Sequence, residues 1–474
     1  MADAELALEH VGVAGAGTMG AGIAQVSCLG GFETYLYDPT PDALRSGEER
    51  LRAALAKGAE RGRWSESEAE EAQRRLHPSE ALEDLAPCQL VIEAAPEDLE
   101  LKRALFGRLA EICGDEAILA TNTSSLSVTA VASGLPGPER VCGMHFFNPP
   151  ALMKLVEVVP GDATAEDVVS ALRRVGERMG RTPVRAADEI GFIANRVARP
   201  YGLEALRLLG DRIATHDQID RICRIGGGFR MGPFELMDLV GVDVGFEVSK
   251  SFWEQSFHEP RWQPHPIQAK MVAAGRLGRK AGRGYYDYRG GPHRADDPEP
   301  PPANVDPAGM NDGVALDGDG FRAIPLGIAS LAAQAGDDRH AVGFFALGPV
   351  ADAALVELTR SELTSDDAAS AAEAYFRERG KHTEWVGDAP GLVLGRIVSQ
   401  LVNEAAFALQ RGIGTAQDID TAMRLGFNYP RGPLEWGAAI GFDRVLAVLD
   451  ALRGELVEER YRAAPLLRRM AAEA

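Results

Sequence analysis

Residues 8–38 read LEHVGVAGAGTMGAGIAQVSCLGGFETYLYD, and this stretch decides the fold of the first part of the chain. Leu8 to Ala14 reads as a short buried strand. Gly15-Ala16-Gly17-Thr18-Met19-Gly20 is a glycine-rich turn, Ala21 to Leu29 a helix, and Thr34 to Tyr37 a second strand that ends in Asp38. A strand–turn–helix–strand unit with G-x-G-x-x-G in its first turn suits a dinucleotide. Gly15 permits the tight turn, and Gly17 lets the backbone approach a pyrophosphate. Gly20 lets helix and strand pack closely, and the helix N-terminus, reached through Thr18 and Met19, faces the anion. Asp38 would accept from a ribose 2′-hydroxyl and repel a 2′-phosphate. Pro39-Thr40 follows it without an arginine, so the expected cofactor is NAD rather than NADP.

Outward from this unit, residues 41–75 read as charged helix. Leu90 to Ala95 and Ala117 to Thr121 are further buried strands. Alternating strands and helices imply a parallel sheet. From about residue 188 long helical patterns take over. Pro292, Pro298, Pro300, Pro301 and Pro302 mark a linker. The expected organisation is a doubly wound α/β domain over 1–187, a helical domain over 188–288 and a linker over 289–312. A reduced α/β domain over 313–387 and a second helical domain over 388–474 complete it, a degenerate copy of the first two.

The copy is visible at a spacing of 200 residues. Gly191, Arg196, Thr215, Ile219, Asp220, Gly232, Pro233 and Glu235 recur as Gly391, Arg396, Thr415, Ile419, Asp420, Gly432, Pro433 and Glu435. Upstream, Gly143, Leu155-Val156-Glu157 and Asp188 recur as Gly343, Leu355-Val356-Glu357 and Asp388. Certain polar residues do not recur. His145 becomes Phe345, Asn148 becomes Gly348, Lys154 becomes Ala354 and Asn195 becomes Gly395. The fold is written twice and a set of polar side chains once, which singles out those side chains.

Composition narrows the class. The chain has 474 residues, 45% hydrophobic and 25% charged, the balance of a globular protein with more than one core. A net charge of −20 argues against nucleic acid and against an anionic membrane surface. No apolar run reaches 18 residues, so no membrane span is expected. The opening Met1-Ala2-Asp3-Ala4-Glu5 carries no secretory signal pattern. Five scattered cysteines without C-x-x-C spacing suggest a reducing cytoplasm, and no metal-ligand spacing is present.

His145 stands in Met144-His145-Phe146-Phe147-Asn148. A core position that accepts Phe345 in the copy does not need an imidazole, so His145 has another use. Glu157 lies 12 residues on, and a carboxylate beside an imidazole fixes its tautomer and stabilises the imidazolium. Glu157 has a counterpart in Glu357, so a structural role for it stays open. Asn122-Thr123-Ser124-Ser125 follows a strand end, where ligands lie in open α/β sheets; a simple turn or cap is the other reading. Asn195 opens a helix, in which asparagine is a poor former.

Together these residues resemble the L-3-hydroxyacyl-CoA dehydrogenase family. The resemblance runs from about residue 8 to 290. It is carried by the glycine loop, Asn122 to Leu126, His145 to Pro149, Met153 to Glu157, Gly191 to Arg196, Gly232 to Glu235 and Gly278 to Tyr286. It implies a Rossmann-type domain and NAD-dependent oxidation of a 3-hydroxyacyl-CoA, in fatty-acid β-oxidation or phenylacetate-type aromatic catabolism. His145 would be the base and Glu157 its partner, with Ser124 and Asn195 holding the substrate oxygen. Asp38, Glu97, Lys102 and Ser124 would contact NAD. The second copy resembles the shortened one of long bacterial members, and would make an internal pseudo-dimer, with a homodimer open besides. The family's coenzyme A helix carries a serine and a lysine where this chain has Ala54 and Arg61. Arg50, Lys57 and Arg61 are the cations along that stretch. Two other readings stay open. A β-hydroxyacid dehydrogenase would place a lysine in the helix from Gly191 to Leu209, which has none. A non-catalytic dinucleotide binder would have lost polar residues from the first copy.

Overall fold

The computed structural model describes residues 8–307, 310 and 315–473. Positions 308, 309, 311 and 312 of the expected linker lie outside the described residues, as do 313 and 314. Two compact units emerge, and they are not consecutive in sequence. One runs to Asn195 and takes in Gly412–Gly426; the other comprises Arg196–Arg411 and the chain from Phe427.

The first unit is built on an eight-stranded sheet. Its strands are β1 (His10–Ala14), β2 (Glu33–Tyr37), β3 (Leu76–Ser79), β4 (Leu90–Glu93), β5 (Ile118–Thr121), β6 (Val141–Phe146), β7 (Leu155–Pro160) and β8 (Thr182–Arg185). Their order is β3-β2-β1-β4-β5-β6-β7-β8. All neighbours are parallel except β6 and β7. The order reverses beside β1, the position at which a doubly wound sheet opens a crevice for a ligand. Val11, Val13, Leu36, Leu90 and Ile92 are buried, as near-continuous apolar strands covered on both faces should be.

The second unit carries the reduced sheet: β9 (Leu316–Gly318), β10 (Phe321–Pro325), β11 (Ala341–Phe345), β12 (Leu355–Thr359) and β13 (His382–Trp385), ordered β13-β12-β11-β10-β9. The parallel, antiparallel, parallel sequence from β10 to β13 repeats that from β5 to β8. Where β4 lies parallel to β5 in the first sheet, β9 lies antiparallel to β10. Among the described residues the reduced sheet has no strand–glycine loop–helix unit. The linker region is pinned: His293 and Arg294 contact Glu235, Asp297 pairs with Arg224, and Asn304 N–H donates to the Glu378 carbonyl.

Each sheet is covered by a helical segment from the other copy. In the first unit, helix Ala416–Gly426 packs on β7 and β8, and Ala187 N–H donates to the Ile413 carbonyl at 2.8 Å. In the second unit, the turn of π-helix Ile222–Gly226 packs on β12, and Gly387 N–H donates to the Ile213 carbonyl at 2.6 Å. Both contacts sit at positions 200 apart. The same symmetry orders the helical core of the second unit, where helices Arg199–Gly210 and Leu394–Gln410 pack together. Arg196 pairs with Glu404 at 3.0 Å and Arg396 with Glu204 at 2.6 Å, all four nearly solvent-free. Buried arginines are tolerated because each has a carboxylate partner.

The long helix expected from Gly191 to Leu209 is broken in the structure. It forms as Ala194–Val197 and Arg199–Gly210, with Pro200 in the first turn of the second piece. Proline has no N–H to give a preceding turn and suits only the first turn of a helix. The copy has Gln400 there and runs unbroken from Leu394 to Gln410.

Candidate active site

The glycine loop meets each demand of its spacing. Gly15 has φ +114°, and a Cβ there would lie 2.6 Å from the Ala94 carbonyl oxygen. A Cβ on Gly20 would lie 1.7 Å from the Gly15 carbonyl oxygen, so the helix could not close on the strand. A Cβ on Gly17 would meet nothing within 4 Å, which leaves room for a pyrophosphate against bare backbone. Helix Thr18–Leu29 starts at Gly17 without a side-chain cap, so its first amides are available to an anion. Asp38 Oδ2 accepts from Ala16 N–H at 2.9 Å and Oδ1 from Thr40 N–H at 3.0 Å. These bonds tie the acid to the loop at the end of β2. The residues fit a dinucleotide whose ribose hydroxyls meet Asp38. The kcat/KM for NAD⁺ should exceed that for NADP⁺ by about tenfold or more, ~1.4 kcal/mol. Asp38→Ala should narrow the gap. Equal values in the unmutated protein would refute the role of Asp38.

His145 and Glu157 meet across β6 and β7, where they are direct register partners. Nδ1 of His145 lies 2.7 Å from Oε2 of Glu157. Glu157 is fully buried and His145 nearly so, with the rings of Phe147 and Phe192 beside the imidazole at 4.6 and 5.7 Å. Oε1 of Glu157 accepts from the Ile193 and Ala194 N–H groups at 3.0 and 2.9 Å. The turn aiming those amides has Phe192 at φ 49°, an uncommon conformation for a large residue. With Nδ1 held by the carboxylate, Nε2 is the nitrogen left to exchange a proton.

The copy separates the two roles of the glutamate. Glu357 pairs in register with Phe345 and accepts from the Val393 and Leu394 N–H groups at 2.7 and 3.0 Å. It keeps the turn and has no imidazole. Complete burial pushes its carboxyl up to about 8. In the unfolded chain it titrates near the ordinary 4.5, so between those pH values the folded chain holds a proton that the unfolded chain has lost. Stability therefore falls as pH rises through that window. Burial pushes Asp220 up to about 7, adding to the same slope. Glu357→Gln should reduce the fall in Tm between pH 5 and 9; an unchanged slope would exclude Glu357 as a contributor.

The loop Asn122 to Ser125 is bound on both sides. Asn122 Oδ1 accepts from Phe146 N–H at 2.8 Å, next to His145. Glu97 Oε1 accepts from the Thr123 and Ser125 hydroxyls at 2.6 and 2.7 Å and from the Ser124 and Ser125 N–H groups at 3.2 Å. Burial alone would raise the Glu97 carboxyl, but these bonds and the Lys102 charge hold it below the usual range. Ser124 itself is exposed, and no hydrogen bond among the described residues uses its hydroxyl. Lys102 is almost wholly buried. Its ammonium lies 2.6 Å from Glu93 and 3.3 Å from Glu97, so it positions the acids rather than reaching outward. Asn195 is half-buried in the short helix Ala194–Val197, one residue after an amide that holds Glu157.

Arg50, Lys57 and Arg61 line one cavity of about 280 Å³ between helix Pro41–Glu60 and residues 149–152, the segment that follows His145 by four residues. Arg63 and Trp64, not singled out in the sequence, line it too. Trp64 lies so close over helix residue Gly58 that a Cβ there would be 1.8 Å from the indole. A glycine inside a charged helix was the one signal available for that contact.

Two family descriptions match the chain. Residues 10–189 match the 3-hydroxyacyl-CoA dehydrogenase NAD binding domain. Residues 191–288 and again 391–474 match the 3-hydroxyacyl-CoA dehydrogenase C-terminal domain. The chain is 42% identical to the 3-hydroxyadipyl-CoA dehydrogenase of Escherichia coli (strain K12), over 98% of each. It is 39% identical to a probable 3-hydroxybutyryl-CoA dehydrogenase of Bacillus subtilis, over 59% of this chain and 98% of that one. A crystal structure described as 3-hydroxybutyryl-CoA dehydrogenase from Escherichia coli superposes with TM-score 0.93 and 40% identity over 99% of both chains.

Proposed function

The chain belongs to the 3-hydroxyacyl-CoA dehydrogenase family, and on that premise we propose that it oxidises a short-chain or dicarboxylic L-3-hydroxyacyl-CoA to the 3-oxoacyl-CoA. It is an NAD-dependent oxidoreductase; bound NAD supplies the acceptor for the substrate C3 hydride. The observation that carries the chemical assignment is the buried 2.7 Å contact between His145 and Glu157. His145 Nε2 takes the 3-hydroxyl proton, and in reverse the imidazolium returns it to the carbonyl oxygen. Glu157 stabilises the imidazolium and is itself held by two backbone amides, so it need not reorganise during the step. Ser124 and Asn195 orient the substrate oxygen. Glu97, with Lys102 beside it, holds the loop carrying Ser124, which would contact the bound cofactor.

The cations about the 280 Å³ cavity support a phosphate-rich ligand on helix Pro41–Glu60. Arg61 and Lys57 hold coenzyme A phosphates there, with Arg50 and Arg63 contributing charge. The relatives named above differ in acyl group, adipyl in one and butyryl in the other. Steady-state NADH oxidation with acetoacetyl-, longer 3-oxoacyl- and 3-oxoadipyl-CoA tests the assignment. The double change Lys57→Ala with Arg61→Ala should raise KM about tenfold or more and leave kcat nearly unchanged. No turnover with any of the thioesters would refute the proposal.

No described helix is long and apolar enough to cross a membrane. All five cysteines are free, four of them buried, which supports a reducing compartment such as the cytoplasm. The 200-residue symmetry of the buried ion pairs supports an internal pseudo-dimer, with any further homodimer using another face.

A further inference from the structure

The second unit holds a cavity of about 460 Å³, larger than the one beside helix Pro41–Glu60. It opens among the loop after β10, the end of β11, helix Leu394–Gln410 and helix Phe442–Leu456. We propose that it binds a linear aliphatic carboxylate, an acyl chain without coenzyme A, as a site separate from the catalytic one. The inference rests on the duplication and not on the chemistry of His145.

The cavity sits where the duplicated fold places the first copy's reactive residues. Asp188 accepts from the Val128 and Thr129 N–H groups, and Asp388 from those of Leu331 and Ala332. That equivalence aligns Asn122-Thr123-Ser124-Ser125 with Pro325-Leu326-Gly327-Ile328. All four of the second set line the cavity, as do Phe345 and Gly395, the counterparts of His145 and Asn195. Each exchange removes a polar side chain. The replacements also fit one another, since a Cβ on Gly395 would lie 2.6 Å from the Phe345 ring.

Apolar walls left open to water favour an apolar ligand that covers them. This cavity has exchanged its polar walls for carbon and stayed open, at a volume suited to a small ligand. Leu326, Phe344, Val398 and Val448 make the interior. Arg322 and Arg444 stand on the lining as exposed cations, and Asp443 is on the lining too. Arg322 lies 3.9 Å from Asp317 with over half its side chain exposed, so it can turn to an anion. The head group is small. The cations of the first copy's coenzyme A cavity stand along and just after helix Pro41–Glu60, between β2 and β3. The described part of the second copy begins at β9 and has no counterpart of that helix.

The test is calorimetric titration of decanoate into the full chain with NAD⁺ and acetoacetyl-CoA present, which fill the first-copy site without turnover. The expected result is one decanoate per chain. Ala447→Trp, which fills the cavity from helix Phe442–Leu456, should weaken it about tenfold or more and leave acetoacetyl-CoA turnover unchanged. Leu347→Trp serves the same purpose should that variant not fold. Arg322→Ala combined with Arg444→Ala should weaken decanoate more than decanol. Decanoyl-CoA should not bind under the blocked condition. No binding of decanoate up to about 1 mM would overturn the proposal. So would binding that acetoacetyl-CoA abolishes and both tryptophan variants leave intact.

Discussion

His145→Gln should lower turnover with acetoacetyl-CoA by roughly 10²–10⁴ and leave NADH affinity nearly unchanged. The loss follows from the site's arrangement. Glu157 is held by its buried position and by the Ile193 and Ala194 amides, so it stays in place when the imidazole goes. A glutamine cannot take up the hydroxyl proton, and among the described residues no other base is bonded to Glu157. The glycine loop lies at β1 and among the described residues shares no hydrogen bond with His145, so the cofactor site is preserved. Retention of half the turnover would show that another group accepts the proton. Lost NADH binding would show that the imidazole is structural.

The second large effect is expected from truncation. Residues 1–290 retain the glycine loop, His145, Glu157 and Asn195, but they lose Gly412–Gly426, which belongs to the first compact unit. That segment covers β7, the strand of Glu157. A Cβ on Gly426 would lie 2.8 Å from Leu155 and 3.4 Å from Phe147, and the Phe147 ring lies against His145. Removing it uncovers apolar surface beside the dyad. The truncation also takes away Glu404, the ion-pair partner of Arg196, together with the helix that carries it. The fragment should dimerise, so that a second copy's residues 213–226 replace the missing cover, or else aggregate. Analytical ultracentrifugation with activity measurement decides the matter. A soluble, fully active monomer would contradict the pseudo-dimer.

The parts of this molecule that sequence revealed are those set by local backbone demands or by comparison within the chain. Gly15, Gly17 and Gly20 were legible because each answers a steric need within a single turn. His145 was legible because the copy puts Phe345 in its place. Its contact with Glu157 was not, because it depends on the register of two antiparallel strands, which 12 residues of separation do not determine. The double use of Glu157 became clear only from Glu357, which keeps the two amide bonds and has no histidine. The resemblance gives Lys102 as a contact to NAD, and its burial against Glu93 was not legible because Glu93 lies on a neighbouring strand. The exchange of residues 213–226 and 413–426 between sheets was hidden for a related reason. An amphipathic helix declares that it must cover something, and its pattern does not say which sheet. Pro200 did carry a readable signal for the helix break, which the continuous apolar periodicity obscured.

The central claim is that one chain holds one complete site and one copy stripped of chemistry. An active-site titration tests it most directly: the chain is loaded with NADH in slight excess over two equivalents and mixed rapidly with saturating acetoacetyl-CoA. The account predicts a fast-phase amplitude of one NADH oxidised per chain, the phase slowed by roughly 10²–10⁴ in His145→Gln. An amplitude of two per chain, or a fast phase whose rate His145→Gln leaves unchanged, would contradict it.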